Sequence, residues 1–273
     1  AYYLIHSMSG SASNFDDLES ESASNFVARL NKTLVKQVIY LSGIVNDDSL
    51  SKHLSSRKKV EEILNTGTFA TTTLRAGIIV GSGSASFEII RDLVNKLPVM
   101  ITPKWLNTKC QPIAITDVLC LLSKSLLNLE TYNQSFDIGG PDILTYKQML
   151  LGFAEAKNLK RWIVTVPIMT PKLSSYWLYF VTSTSYRLAS ALVSSMKVEV
   201  VCGDTRINEL LGVTPMTYKQ ALSRALIKVD EDKVASSWKD SLVSGRFTSN
   251  MSEYLKVPKK DCFIDRRKME IID

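Results

Sequence analysis

Apolar positions along the first half of this chain follow two alternating periods. Short apolar runs such as Tyr2-Tyr3-Leu4-Ile5, Val38-Ile39-Tyr40-Leu41 and Ile78-Ile79-Val80 are strand-length, whereas the stretches between them repeat apolar residues every three or four positions. The pattern predicts strands at 1–6, 37–42, 71–80 and near 98–102. It predicts helices near 15–35, 51–66, 84–96 and 116–128. In the first helix Phe15, Leu18, Ala23, Phe26, Val27, Leu30 and Leu34 fall on one side, and Gly67 stops the second. Repeated strand–helix units with apolar strands imply an α/β fold, a parallel sheet with helices on both faces.

Farther along, Phe136 to Asp142 reads as a strand ending in a Gly-Pro turn, followed by a helix from Thr145 to Lys157. A Ser-, Tyr- and Leu-rich helical segment at 173–196, a short strand at Glu199 to Cys202 and a helix at 217–228 complete the pattern. This part has fewer buried strands and more aromatics, which suits a smaller lobe covering a substrate. The domain reading is therefore 1–140, a sheet domain; 141–228, the covering lobe; and 229–273, a polar linker leading into a further domain. Ala1 opens directly into a strand run, and the alternation from Cys262 to Asp273 is still running at the last residue. Both ends read as cut, and the expected sheet is incomplete.

Composition narrows the function. The 273 residues have 45% hydrophobic and 22% charged content, that of an ordinary globular protein. The net charge of +6 is spread along the chain, and the dense clusters Arg57-Lys58-Lys59 and Arg266-Arg267-Lys268 are short. Without a basic stripe interleaved with aromatics, nucleic acid is not the expected partner. The cysteines at 110, 120, 202 and 262 form no C-x-x-C pair and have no histidine at metal-ligand spacing. They read as reduced thiols of a cytoplasmic protein, with no metal site. No uncharged apolar run is long enough to span a bilayer, and Trp177 to Val181 reads as core.

The candidate chemistry centres on three residues. Ser42 ends the strand at 37–42. His53 and Arg57 follow at i, i+4 spacing, so one helix face carries both. An imidazole donates a proton near neutral pH, and a guanidinium grips hydroxyls by directed hydrogen bonds. His6 and Ser7 sit at the carboxyl end of the first strand, where ligands gather in open α/β sheets; a hydrogen-bonded core role for His6 is equally open. The turn Gly81-Ser82-Gly83-Ser84-Ala85-Ser86 follows an apolar strand and opens a helix, the local setting of a dinucleotide fingerprint. Ser86 replaces the third glycine, and Pro103-Lys104 stands where a ribose-binding acid is expected. The preferred reading there is a flexible loop over the mouth of the site.

The order Ser42, His53-x-x-Ser56-Arg57-x-x-x-Glu61 resembles the Ser and Tyr-x-x-Ser-Lys-x-x-x-Glu site of short-chain dehydrogenase/reductases, with His for tyrosine and Arg for lysine. The stretches 1–8, 53–64, 74–83, 111–118 and 136–142 extend the likeness. Together they span most of residues 1–228. The chain is most similar to atypical or extended members, the NAD(P)H-binding, NmrA-like or nucleoside-diphosphate-sugar-epimerase-like branch related to the 39-kilodalton subunit of respiratory complex I. The resemblance implies a Rossmann-like fold, NAD(P) as cofactor and a small-molecule substrate. Ser42, His53 and Arg57 would be catalytic, and His6, Ser7, Arg57, Ala76 and Gly77 would border the cofactor. It also implies a glycine-rich turn and a central strand upstream of Ala1, and a C-terminal domain beyond Asp273. The implied function is an NAD(P)-dependent oxidoreductase or epimerase. The alternative is a non-catalytic dinucleotide-binding protein, a redox sensor or assembly subunit, since both the tyrosine and the lysine are replaced. Neither substrate, preferred nicotinamide nor oligomeric state is indicated.

Overall fold

The computed structural model describes residues 1–5, 15–44, 52–166 and 196–230, without the side chains of 15, 16, 52–54 and 228–230. Residues 1–237 form one compact unit and 238–273 a second. The described elements run β1 (Tyr2–Tyr3), α1 (Phe15–Leu30), β2 (Gln37–Gly43), α2 (Lys52–Leu64), β3 (Ala70–Ala76), β4 (Ile78–Val80), α3 (Ala85–Lys96) and β5 (Val99–Pro103). After a short 3-10 turn at Lys104–Asn107 come β6 (Lys109–Cys110), β7 (Pro112–Ala114), α4 (Ile115–Lys124), β8 (Gln134–Ile138), β9 (Leu144–Thr145), α5 (Tyr146–Ala156) and β10 (Trp162–Val166). The last two are α6 (Ile207–Leu210) and α7 (Tyr218–Asp230).

Four parallel strands in the order β1-β2-β3-β8 make the main sheet. Its pleat sends alternate residues to opposite faces. Val38 and Tyr40 pack with Tyr3 beneath Ala23 and Val27 of α1 and Val60 and Leu64 of α2. Ile39, Leu74, Phe136 and Ile138 face Val118 and Leu121 of α4 and Ile207 of α6. Helices thus cover both faces, as the apolar strands imply. A third core, built on α3, α5 and α7, joins Phe87 to Phe153 edge-on at 5.7 Å and includes Met149 and Tyr218. The Tyr218 hydroxyl donates to the Met149 carbonyl at 2.9 Å.

Several sequence expectations need correction. The strand expected at 71–80 is two strands: β3 lies in the main sheet, and β4 pairs with β7 in another. Gly77 lies at the break between them, and a Cβ there would lie 2.8 Å from Cγ1 of Val200, so only glycine fits without a shift. The first helix ends at Leu30 rather than 35. Leu34, expected on its packed side, is 99% exposed, and Leu18 is 44% exposed while Glu19 is buried at 4%. The strand at 98–102 belongs to a separate parallel pair with β10, and of the strand at 199–202 only a Cys110–Val200 bridge forms. The segment 173–195 lies outside the described residues, as do Trp177 to Val181.

A buried polar cluster fixes the amino ends of the central strands. Gln37 Nε2 donates to Thr72 Oγ1 at 2.8 Å and to the Ser125 carbonyl at 3.0 Å, and Gln37 Oε1 accepts from Leu127 N at 2.6 Å. Thr72 Oγ1 donates in turn to the Thr131 carbonyl at 2.8 Å. Buried polar groups left without partners cost about 1–3 kcal/mol each. Gln37→Leu is therefore expected to lower the thermal midpoint by several degrees, at ~2–4 °C per kcal/mol for a domain of this size. A calorimetric scan of the two proteins checks it, and coincident melts would remove the cluster as a stabilising feature.

Candidate functional site

At the carboxyl ends of β1, β2 and β3 the structure opens a cavity of about 320 Å³. Ligands of open α/β sheets bind at this end. Its floor includes Tyr40, Ser42 and Gly43 of β2 and Ala76 and Gly77 after β3, and α2 contributes Arg57 and Val60. The far side is closed by Ser84 and Ser86 at the start of α3, Tyr146 at the start of α5, and Met196 and Val200.

The register explains why these residues meet. Parallel pairing sets Ser42 beside Arg75 and Gly43 beside Ala76, so both strands end at the same level. Two tethers then hold α2 over that edge. Glu61 accepts from Arg75 Nη2 at 2.7 Å and Nε at 3.2 Å, and from Ser135 Oγ at 2.6 Å. This two-point grip couples α2 to β3 and β8. Ser56 Oγ donates to Glu19 Oε2 at 2.5 Å, tying α2 to α1. Ser56 and Glu61, which flank Arg57 in the motif, therefore position the helix that carries it.

Ser42 is 2% exposed and lines the cavity together with Arg57, Ala76 and Gly77. Burial holds the Arg57 guanidinium below the ordinary arginine range, while the neighbouring Tyr40 and Glu19 pull it upward. It remains a cation at neutral pH. His53 belongs to the first turn of α2, four residues before Arg57, and its side chain lies outside the described residues. His6 and Ser7 are likewise outside them.

Two cavity residues escaped the sequence reading. Tyr40 precedes Ser42 by two on the same strand face, and its hydroxyl reaches the Arg57 carbonyl at 3.5 Å. Burial pushes the Tyr40 phenol up, against the opposing effects of the neighbouring Ser42 hydroxyl and the Arg57 charge. Period-two alternation through Val38, Tyr40 and Ser42 was the available signal. Glu19 is the second, a carboxylate four residues from both Phe15 and Ala23 and hence on the apolar stripe of α1.

The glycine turn before α3 has a packing role. A Cβ on Gly81 would meet Ile115 Cγ2 at 2.5 Å, and Ser84 caps the helix by accepting from Phe87 N at 3.2 Å and donating to the Ile79 carbonyl at 3.0 Å. The turn spends its small residue on α4 and its first-turn amide on its own serine. Among the described residues no cluster of His, Cys, Asp and Glu suits a metal, and no helix is long and apolar enough to cross a membrane.

Neither a protein-family model nor a curated protein matches the sequence. Solved structures match the fold. A nucleoside-diphosphate-sugar epimerase from Staphylococcus aureus superposes with a TM-score of 0.61 at 14% identity, over 81% of this chain and 73% of that one. The Bordetella bronchiseptica enzyme WbmG, in complex with NAD and UDP, gives 0.63 at 12% identity over 85% and 73%. The Citrobacter triphenylmethane reductase complexed with NADP(H) gives 0.61 at 13% identity over 79% and 74%. The architecture is the Rossmann-like one that these proteins share.

Tyr3 also lines the cavity, and burial, with Tyr40 and Glu19 adding to it, pushes its phenol up to about 12. An unfolded tyrosine titrates near ~10, so the folded value is the higher one. The stability this contributes is fully present below about pH 10 and is lost as pH rises through about 12. The urea midpoint is expected to fall between about pH 8 and about pH 11, and to fall less in Tyr3→Phe. Equal losses in the two proteins would assign the alkaline effect elsewhere.

Proposed function

We propose that this chain is an NAD(P)-dependent oxidoreductase or epimerase of the atypical short-chain dehydrogenase/reductase type, acting on a small molecule in the cavity at the ends of β2 and β3. The observation that supports it most is the meeting of Ser42, Arg57, Ala76 and Gly77 on one cavity wall. The fold is shared with enzymes crystallised with NAD or NADP(H). The described donor set suits the nicotinamide and ribose end of a dinucleotide: a hydroxyl, a guanidinium and a small Ala-Gly edge that admits a flat ring.

A nicotinamide bound there supplies or removes a hydride at the substrate carbon. In this reading the Ser42 hydroxyl turns to donate to the substrate oxygen. Arg57 donates to ribose hydroxyls. His53 delivers the proton that balances the hydride, leaving an alcohol where a carbonyl was. His6 and Ser7, with Ala76 and Gly77, border the cofactor. Residues 141–228 act as the covering lobe and 229–273 as the linker to a further domain.

Titration of the full-length protein with NADH and NADPH, followed by turnover on a panel of carbonyls and sugar nucleotides, tests the reading. His53→Ala is expected to lower turnover by about 10²–10⁴-fold, the usual worth of a positioned acid or base, and Ser42→Ala by about 10²–10³-fold, the worth of one donor to the reacting oxygen, with cofactor affinity little changed. Arg57→Ala is expected to weaken cofactor binding about 10-fold, the loss of one charge-assisted hydrogen bond. His53→Tyr, which restores the family's acid, is expected to retain or raise activity. Wild-type turnover in both His53 variants would remove His53 as the acid. Cofactor binding with no turnover on any substrate would favour the non-catalytic dinucleotide-binding role.

A further inference from the structure

β5 and β10 form a parallel pair whose two faces are alike in chemistry and unequal in cover. Register sets Trp162 beside Val99 and Val164 beside Ile101, and the pleat puts these four on one face. Met100, fully buried, and Ile163 turn the other way, onto the core built on α3 and α5. A sheet with one face in solvent normally carries polar residues on it. Here Val99, Ile101, Trp162 and Val164 are between 54% and 71% exposed. Contiguous apolar side chains on an uncovered face mark an interaction surface.

We propose that this face docks the protein on an anionic lipid surface, its four side chains entering the headgroup boundary and flanking basic residues meeting the lipid charge. The stretches 96–107 and 157–166 hold Lys96, Lys104, Lys157, Lys160 and Arg161 and no aspartate or glutamate. Lys160 and Arg161 lead into β10 and Lys104 follows β5, so positive charge brackets the apolar face at both ends. Asp92 offsets Lys96 at 3.2 Å; Lys104 and Lys160 are exposed. A basic rim around an apolar face bearing a tryptophan suits a bilayer interface, where an indole ring sits at headgroup level and each nearby lysine adds attraction to anionic lipid. A strand partner fits less well, because Pro98 precedes β5 and Pro103 ends it, which blunts edge pairing. A protein face also fits less well: four side chains offer on the order of a few hundred Å², short of the ~800 Å² per partner of a specific interface. Docking of this kind requires neither the cavity nor a cofactor.

Co-sedimentation of the whole chain with vesicles tests this, using phosphatidylcholine alone and phosphatidylcholine with about one-third phosphatidylserine. The anionic vesicles are expected to bind about 10-fold more tightly, and the preference to shrink as salt rises from ~0.05 to ~0.5 M. Trp162→Ser is expected to weaken binding to the anionic vesicles about 10-fold, through lost apolar contact. The double variant Lys104→Glu, Lys160→Glu is expected to weaken it by at least about 10-fold, through reversed charge. That variant leaves the apolar face whole and changes only exposed positions, so it decides the matter if Trp162→Ser fails to fold. Equal binding to the two vesicle types, a preference unmoved by salt, or wild-type binding in either folded variant would each overturn the inference, as would an absence of vesicle binding. In that last case, a concentration-dependent dimer lost in Trp162→Ser would assign the face to a second copy of the chain. A Trp162→Cys thiol inert to a water-soluble maleimide would instead assign it to cover by the chain's own residues 167–195.

Discussion

The position of α2 is the constraint on which the candidate site depends. A helix laid on a sheet by apolar contacts alone can slide or rotate by small amounts at little cost, because burial is proportional to area and has no direction. The carboxylate of Glu61, held by Arg75 from two nitrogens and by Ser135, removes that freedom at one end of the contact. Ser56 on Glu19 removes it at the α1 side. Hydrogen bonds to a charged group contribute about 1.5–3 kcal/mol, and here they also carry geometry. Arg57 reaches the edge where Ser42 ends its strand because the neighbours on either side of it in the sequence are tied down.

Those tethers also sort the motif residues by task. Ser56 and Glu61 look in sequence like members of a reactive set, since they stand at regular spacing around Arg57. In the structure they are engaged with α1, β3 and β8, while Arg57 lines the cavity.

What could be read from the sequence followed period and length. The βα alternation gave the parallel sheet and both helical layers, because strand-length apolar runs and amphipathic stretches have distinct signatures. The separate sheets are not legible from period alone: a single glycine, Gly77, interrupts the run from Ala76 to Val80, and the pattern does not say whether it bends one strand or divides two. Leu18 and Glu19 exchanged their expected environments for a related reason. A carboxylate is buried only where partners exist, and Ser56 and the cavity lie on an element whose packing α1 does not encode. Of the residues that line the cavity, Ser42 and Arg57 were legible from a strand end and helical spacing, whereas Ala76 and Gly77 were named only through the resemblance, because the pattern runs one strand through them. Tyr40 was overlooked because an aromatic in a strand is first taken as core.

Gly77 joins two pieces of sheet at a single residue: on one side lies the edge bearing Ser42 and Ala76, on the other β4, which leads to α3. A single methyl group added at that joint would press on Val200 at 2.8 Å, and both residues line the cavity, so the joint ties the shape of the site to the spacing of two sheets.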